Sequence, residues 1–178
     1  MAFFKEKERW SGQQFAKALS EIFWKNILKS YKENDPSWSF FRETFDSMDE
    51  TALLREWIAF EVFITFRAVM SYFRPDVGIR IMDEFNKFCS DTFTQLGLPD
   101  NEAQFRMFRG SRFGWYSDAK KDKDKGEAIH YLAKTFCRFC EQEMDIAATL
   151  PVAEYYVNAI TAEMEFLRKL TERIKVVY

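Results

Sequence analysis

Glycine and proline are scarce in this chain, 6 and 4 among 178 residues. Too few turn formers remain for a β-sandwich, and long stretches free of breakers favour helices. Histidine occurs once, at His130, which excludes any site that needs two imidazoles. Three cysteines, Cys89, Cys137 and Cys140, make an odd number and resemble no disulfide framework. No Walker loop and no Gly-x-Gly-x-x-Gly occurs, so the usual backbone cradles for phosphate are missing. Charge of one sign is also missing. A formal net charge of −2 gives no global attraction to nucleic acid or to an anionic membrane. The first ten residues are interrupted by Lys5, Glu6, Lys7, Glu8 and Arg9 and lack the apolar run of a signal peptide. A soluble protein of the reducing cytoplasm is the expectation. Residues 52–73 are mostly apolar and long enough to span a bilayer. They also carry Arg55, Glu56, Glu61 and Arg67, each costly in lipid, so the segment reads as a helix enclosed by protein.

Aromatic residues are abundant instead: 18% of the chain, with 20 Phe and 5 Trp. They carry the largest apolar surface per side chain, so few contacts can hold helices together. Ser11 and Gln14 form a capping box, and Phe15, Leu19, Ile22, Phe23, Ile27 and Tyr31 follow at helical spacing to a stop near Glu33. Asp35 and Pro36 open a second helix with Trp38, Phe41, Phe45 and Met48 in line. A third starts at Ser47 or Asp49, is apolar nearly all round, and ends at Arg74-Pro75; such a helix belongs in the middle of a bundle. The fourth runs from Pro75 to Leu96, with Gly97 in a left-handed stop. A fifth begins near Asp100, and Gly110 and Gly114 leave its end open. Charged residues 117–126 read as a mobile loop before a sixth helix that carries Ile129, Leu132, Phe136, Phe139 and Met144. Pro151 divides it from a seventh, where Ala153, Tyr156, Ile160, Glu163, Leu167, Leu170, Ile174 and Val177 keep an a/d rhythm broken only by Glu163. The expected fold is an all-α, single-domain bundle over residues 1–178, of about seven helices, with a central and nearly all-apolar third helix.

Three groups of residues could carry chemistry. His130, Cys137 and Glu141 share one helical face, and Cys140 can approach it. These are zinc-ligand types. Ordinary zinc sites draw on two elements, and buried free cysteine commonly packs as a small hydrophobe. Glu127-x-x-His130 is half of a di-iron carboxylate signature, and the single histidine leaves it incomplete. Second, Glu61 and Glu163 interrupt apolar faces. Each is expected to pair with a cation such as Arg67 or Arg80, to be exposed at a bundle end, or to line an internal polar site. With His130 they form the candidate polar groups of a pocket among helices three, six and seven. Third, Arg106, Arg109 and Arg112 alternate with Phe105, Phe108, Phe113 and Trp115. That strip is either a solvated helix face or a surface for nucleic acid or another anion.

No residue set in the sequence determines a function, and the lack of catalytic machinery argues against an enzyme. The favoured expectation is a helical protein-interaction or regulatory module, homodimeric through the seam of helix seven. One alternative is a bundle that binds a small molecule or a metal, zinc among them, near Glu61, His130 and Glu163. The second alternative is nucleic-acid binding through the arginine strip, which the net charge disfavours.

Overall fold

The computed structural model describes residues 7–87, 96–98, 102–118, 125–142 and 146–177. The protein is an all-α helical bundle. Its described helices are α1 (Gly12–Glu33), α2 (Pro36–Thr44), α3 (Glu50–Tyr72), α4 (Pro75–Lys87), α5 (Glu102–Asp118), α6 (Lys125–Phe139) and α7 (Ile146–Arg173).

The helix starts follow local chemistry. Ser11 Oγ accepts from the Gln14 N–H at 3.1 Å while Gln14 Oε1 accepts from the Ser11 N–H at 2.8 Å, which closes the capping box of α1. Asp35 caps α2 by accepting from the N–H groups of Ser37 and Trp38. Asp49, not Ser47, caps α3, accepting from the Ala52 N–H at 2.9 Å. Ends are equally local. Asn34 and Glu141 take left-handed backbone, with φ of 47° and 62°, just past α1 and α6. After α6, the Gln142 N–H donates to the Cys137 carbonyl and the Glu141 N–H to that of Arg138, the paired bonds of a Schellman ending. Gly97 takes φ 71°, the left-handed position expected of it.

Helix α3 is central. Leu53, Leu54, Trp57, Ile58, Phe60, Val62, Phe63 and Ile64 are all buried, and the helix packs against α2, α4, α5, α6 and α7. Around Phe60 the core is a lattice of rings. Phe136 lies 4.6 Å from Phe60 and 5.3 Å from Phe41, centroid to centroid, and Phe45 and Trp57 extend the cluster. Among the described residues no helix is long and apolar enough to cross a membrane.

Several expectations are corrected. Pro151 does not divide two helices; it lies inside α7, which begins at Ile146. Ala148, Thr149 and Val152 are buried on both sides of it, and that packing outweighs the missing N–H. The seventh helix also stops short of Val177. Ile174–Val177 is a strand, β2, paired in parallel with β1 (Glu8–Ser11) from Glu8↔Ile174 to Ser11↔Val177. Gly110 and Gly114 do not end α5. Both sit on its outer side, with no atom within 4 Å of where a Cβ would stand, while Phe105 and Tyr116 are buried on its inner side. Ile22 does not join the core stripe of α1 and remains partly exposed. Phe88, Cys89, Thr92, Phe93, Pro99, Asp100 and Met144 fall outside the described residues, as do positions 119–124 of the charged segment.

Candidate functional site

A cleft of about 440 Å³ opens between α1, the α1–α2 turn, α3 and α7. Its polar end is built from residues of the turn, α3 and α7. Asp35 reaches it from the turn, but both its oxygens are engaged: Oδ1 caps α2 and Oδ2 accepts from Ser30 Oγ at 2.6 Å. Trp57 and Glu61 lie one turn apart on α3, and Tyr155 and Glu163 lie two turns apart on α7. Tyr155 donates its hydroxyl hydrogen to Glu61 Oε1 at 2.6 Å. Leu19, Ile22, Phe23, Ile27, Ala159 and Phe166 make the apolar walls.

The electrostatics of this end are unusual. Burial raises the Glu61 carboxyl from 4.5 to about 7; the Tyr155 hydrogen bond opposes the rise, and the nearby Glu163 and Asp35 charges reinforce it. Burial raises Glu163 as well. No described cation pairs with either carboxyl: Arg67 approaches Tyr156 instead, and Arg80 lines a different depression. Tyr155 is pushed above its ordinary value by burial and by the Glu61 charge, so it stays a donor. Trp57 is 1% exposed and lines the cleft, yet its indole N–H has no hydrogen bond of normal geometry. It lies near enough to Glu61 and Tyr155 to lower both pKa values without bonding either well.

Of the three polar residues expected to share a pocket, Glu61 and Glu163 line this cleft and His130 does not; it is exposed on α6. The zinc-type set divides similarly. Cys137 and Cys140 are buried, whereas His130 and Glu141 are exposed, and among the described residues no three His, Cys, Asp or Glu side chains stand where they could share a metal ion. Burial raises Cys140 far above the thiol range, which keeps it protonated and a poor ligand.

The arginine strip turns inward. Arg109 is 9% exposed and donates to Asn86 Oδ1 at 2.5 Å. Arg112 grips the buried Glu56 through Nε and Nη2, with Nε at 3.0 and 2.9 Å from the two carboxyl oxygens. Its guanidinium also stacks on Phe108 and Phe139. Burial lowers the Arg112 pKa, and the bond and charge of Glu56 more than offset that. Arg106 alone of the three is exposed. It lines a larger depression of about 760 Å³ at the start of α1, where Arg80 and Arg106 are matched by Asp83 and Glu84. That balance leaves no excess charge to select a ligand, so the smaller acidic cleft is the better candidate.

Sequence reasoning missed Trp57, Tyr155 and Asp35 as site residues. Their spacing marks them as core or cap, and no pattern says that their polar tips converge. No protein-family model matches the chain, and no curated protein or solved structure is significantly similar to it, so the chemistry rests on the residues themselves.

Proposed function

We propose that the protein is a ligand-binding helical bundle that takes a small molecule in the α1–α3–α7 cleft. One observation carries this reading: Glu61 and Glu163, from different helices, line the same cavity and neither is ion-paired among the described residues, Lys29 of the lining lying 3.9 Å from Glu33 instead. A carboxylate held on an apolar face costs stability unless a cation or hydrogen-bond donors compensate it, so an uncompensated pair facing a cavity is suited to a ligand that does. Apolar walls with a few convergent polar groups are the usual make-up of a small-molecule site. The lining holds no His and no Cys, so the reading is one of binding and not of catalysis through those groups. A fragment screen observed by NMR tests it. Ligands should move the Trp57 indole N–H signal, and Ala159→Phe, which fills the cleft, should abolish the effect while leaving the helical circular dichroism intact. A screen in which no fragment moves that signal refutes the reading.

An interaction module is a second reading with a narrower basis. In the a/d seam of α7, Tyr156 and Leu167 are buried, while Ala153, Ile160 and Leu170 are half-buried. A different row, Ile146, Leu150, Val157 and Met164, recurs on the outer side of α7 and is exposed, Ile146 at 70%. Light scattering that shows a dimer, dispersed by Leu150→Glu, would favour this second reading.

A further inference from the structure

We propose that the ligand of the cleft is a small organic ammonium ion, its charged head between Glu61 and Glu163 and its hydrocarbon body against Ile22, Phe23 and Phe166. This deepens the binding reading above and rests on it. The charged and titratable groups around the head position are few. From α1 comes Lys29, which is exposed and lies 3.9 Å from Glu33, an oppositely charged neighbour on its own helix. From the α1–α2 turn comes Asp35, already committed to capping and to Ser30. From α3 comes Glu61, and from α7 come Tyr155 and Glu163. The polar end is therefore acidic, and Glu163 makes no hydrogen bond or ion pair among the described residues. An anion would meet like charge here. A neutral ligand would leave two part-buried carboxyls uncompensated. An ammonium group compensates both, with three N–H donors for carboxyl oxygens.

Two further features fit the same class. Ile22 is 37% exposed where its neighbours in the α1 stripe are buried, so an apolar wall stands open beside the acidic end. The Trp57 indole also lines the cleft, and its N–H, buried beside Glu61 and Tyr155 without a hydrogen bond of normal geometry, is a donor left over there. A hydroxyl or ether near the amine would accept it.

Binding should release a proton. Glu61 titrates at about 7, so near neutrality it is divided between its acid and its anion, and only the anion completes the pair of charges. Affinity for the cation should therefore rise from pH 6 to pH 8, by about tenfold from the ionisation of Glu61 alone.

The experiment uses the full chain and three probes of like size: phenethylamine, 2-phenylethanol and 3-phenylpropionate. Titration calorimetry at pH 6 and pH 8, in buffers of different ionisation enthalpy, reads affinity and proton release, and the Trp57 indole signal reports the location. The amine should bind at least about tenfold tighter than the alcohol at pH 8, release a proton on binding at neutral pH, and outcompete the carboxylate. Glu163→Gln should weaken the amine and leave the alcohol unchanged. The pH series on the unaltered protein tests the same idea should that variant misfold. If the alcohol binds in the cleft as tightly as the amine, the ammonium inference falls and the binding reading stands. If the carboxylate binds best, the inference also falls. If none of the three moves the Trp57 signal at millimolar concentration, the ammonium inference falls, and the fragment screen decides the binding reading.

Discussion

At the scale of single residues, the buried ion pair between Glu56 and Arg112 is the most consequential. Glu56 sits on α3 at 3% exposure, and burial raises its pKa more strongly than Arg112 lowers it. Such a pair contributes little net stability, because desolvation consumes most of the attraction, but removing one partner strands the other. Arg112→Met should cost about 3–5 kcal/mol in urea denaturation. The double change Glu56→Leu with Arg112→Met should recover most of that loss, since an apolar pair of similar volume needs no compensation. A double variant as unstable as the single one would show that Arg112 acts through its stacking on Phe108 and Phe139. A quieter residue effect lies at Glu141, which holds left-handed backbone at the end of α6. A side chain there is strained by about 1 kcal/mol, so Glu141→Gly should raise the thermal midpoint slightly.

The elements show which sequence signals carry structure. Bulky residues three and four apart in residues 12–33 mark the buried face of α1, and Phe15, Leu19, Phe23 and Ile27 are buried as that spacing requires. The continuous apolar run of residues 53–64 likewise marks α3 as central. The β1–β2 pairing was illegible for a physical reason. Each strand has four residues, too short for a period, and the partners lie at opposite ends of the chain. Lys7 Nζ adds a clasp by donating to the Thr171 carbonyl at 2.7 Å, next to the end of α7. Pro151 misled because local propensity is weaker than burial. The arginine strip misled because helical spacing cannot reveal that Glu56 awaits Arg112 on another helix. In the site, Glu61 and Glu163 were legible as carboxyls out of place on apolar faces. Tyr155 and Trp57 were not, because an aromatic residue with a polar tip reads as core. For α5 the outcome is testable. Gly110 has no neighbouring atom within 4 Å of an added methyl group, and it is exposed in a helix interior. Gly110→Ala should stabilise the protein by about 1 kcal/mol through lower backbone entropy alone. A loss of stability would mean that the two glycines give α5 a bend it needs.

For the molecule as a whole, the misplaced carboxyls set how stability responds to pH. Burial raises Glu56, Glu61 and Glu163 above their ordinary values, all in the same direction. The folded state then holds protons that the unfolded state has already released. Between 4.5 and about 7 the native protein binds more protons at Glu61 than the unfolded chain does, so stability must fall as pH rises through that window. The gap corresponds to at most about 3.5 kcal/mol for Glu61, at about 1.4 kcal/mol per pH unit. Above about 7 both states are ionised at Glu61 and its contribution levels off. Glu165 works in the opposite sense: the Arg168 hydrogen bond holds its pKa down to about 2, so its effect is confined to more acid pH and does not mask the trend. Urea denaturation should therefore show lower stability at pH 8 than at pH 5. Glu61→Gln should reduce that slope and be more stable than the unaltered protein at pH 8. A saturating ammonium ligand should act likewise, because a bound cation stabilises the ionised form of Glu61 that burial opposes. A flat profile between pH 5 and pH 8 would mean that water reaches the cleft freely enough to solvate both carboxylates, and the charge available to hold a cation would then be correspondingly weaker.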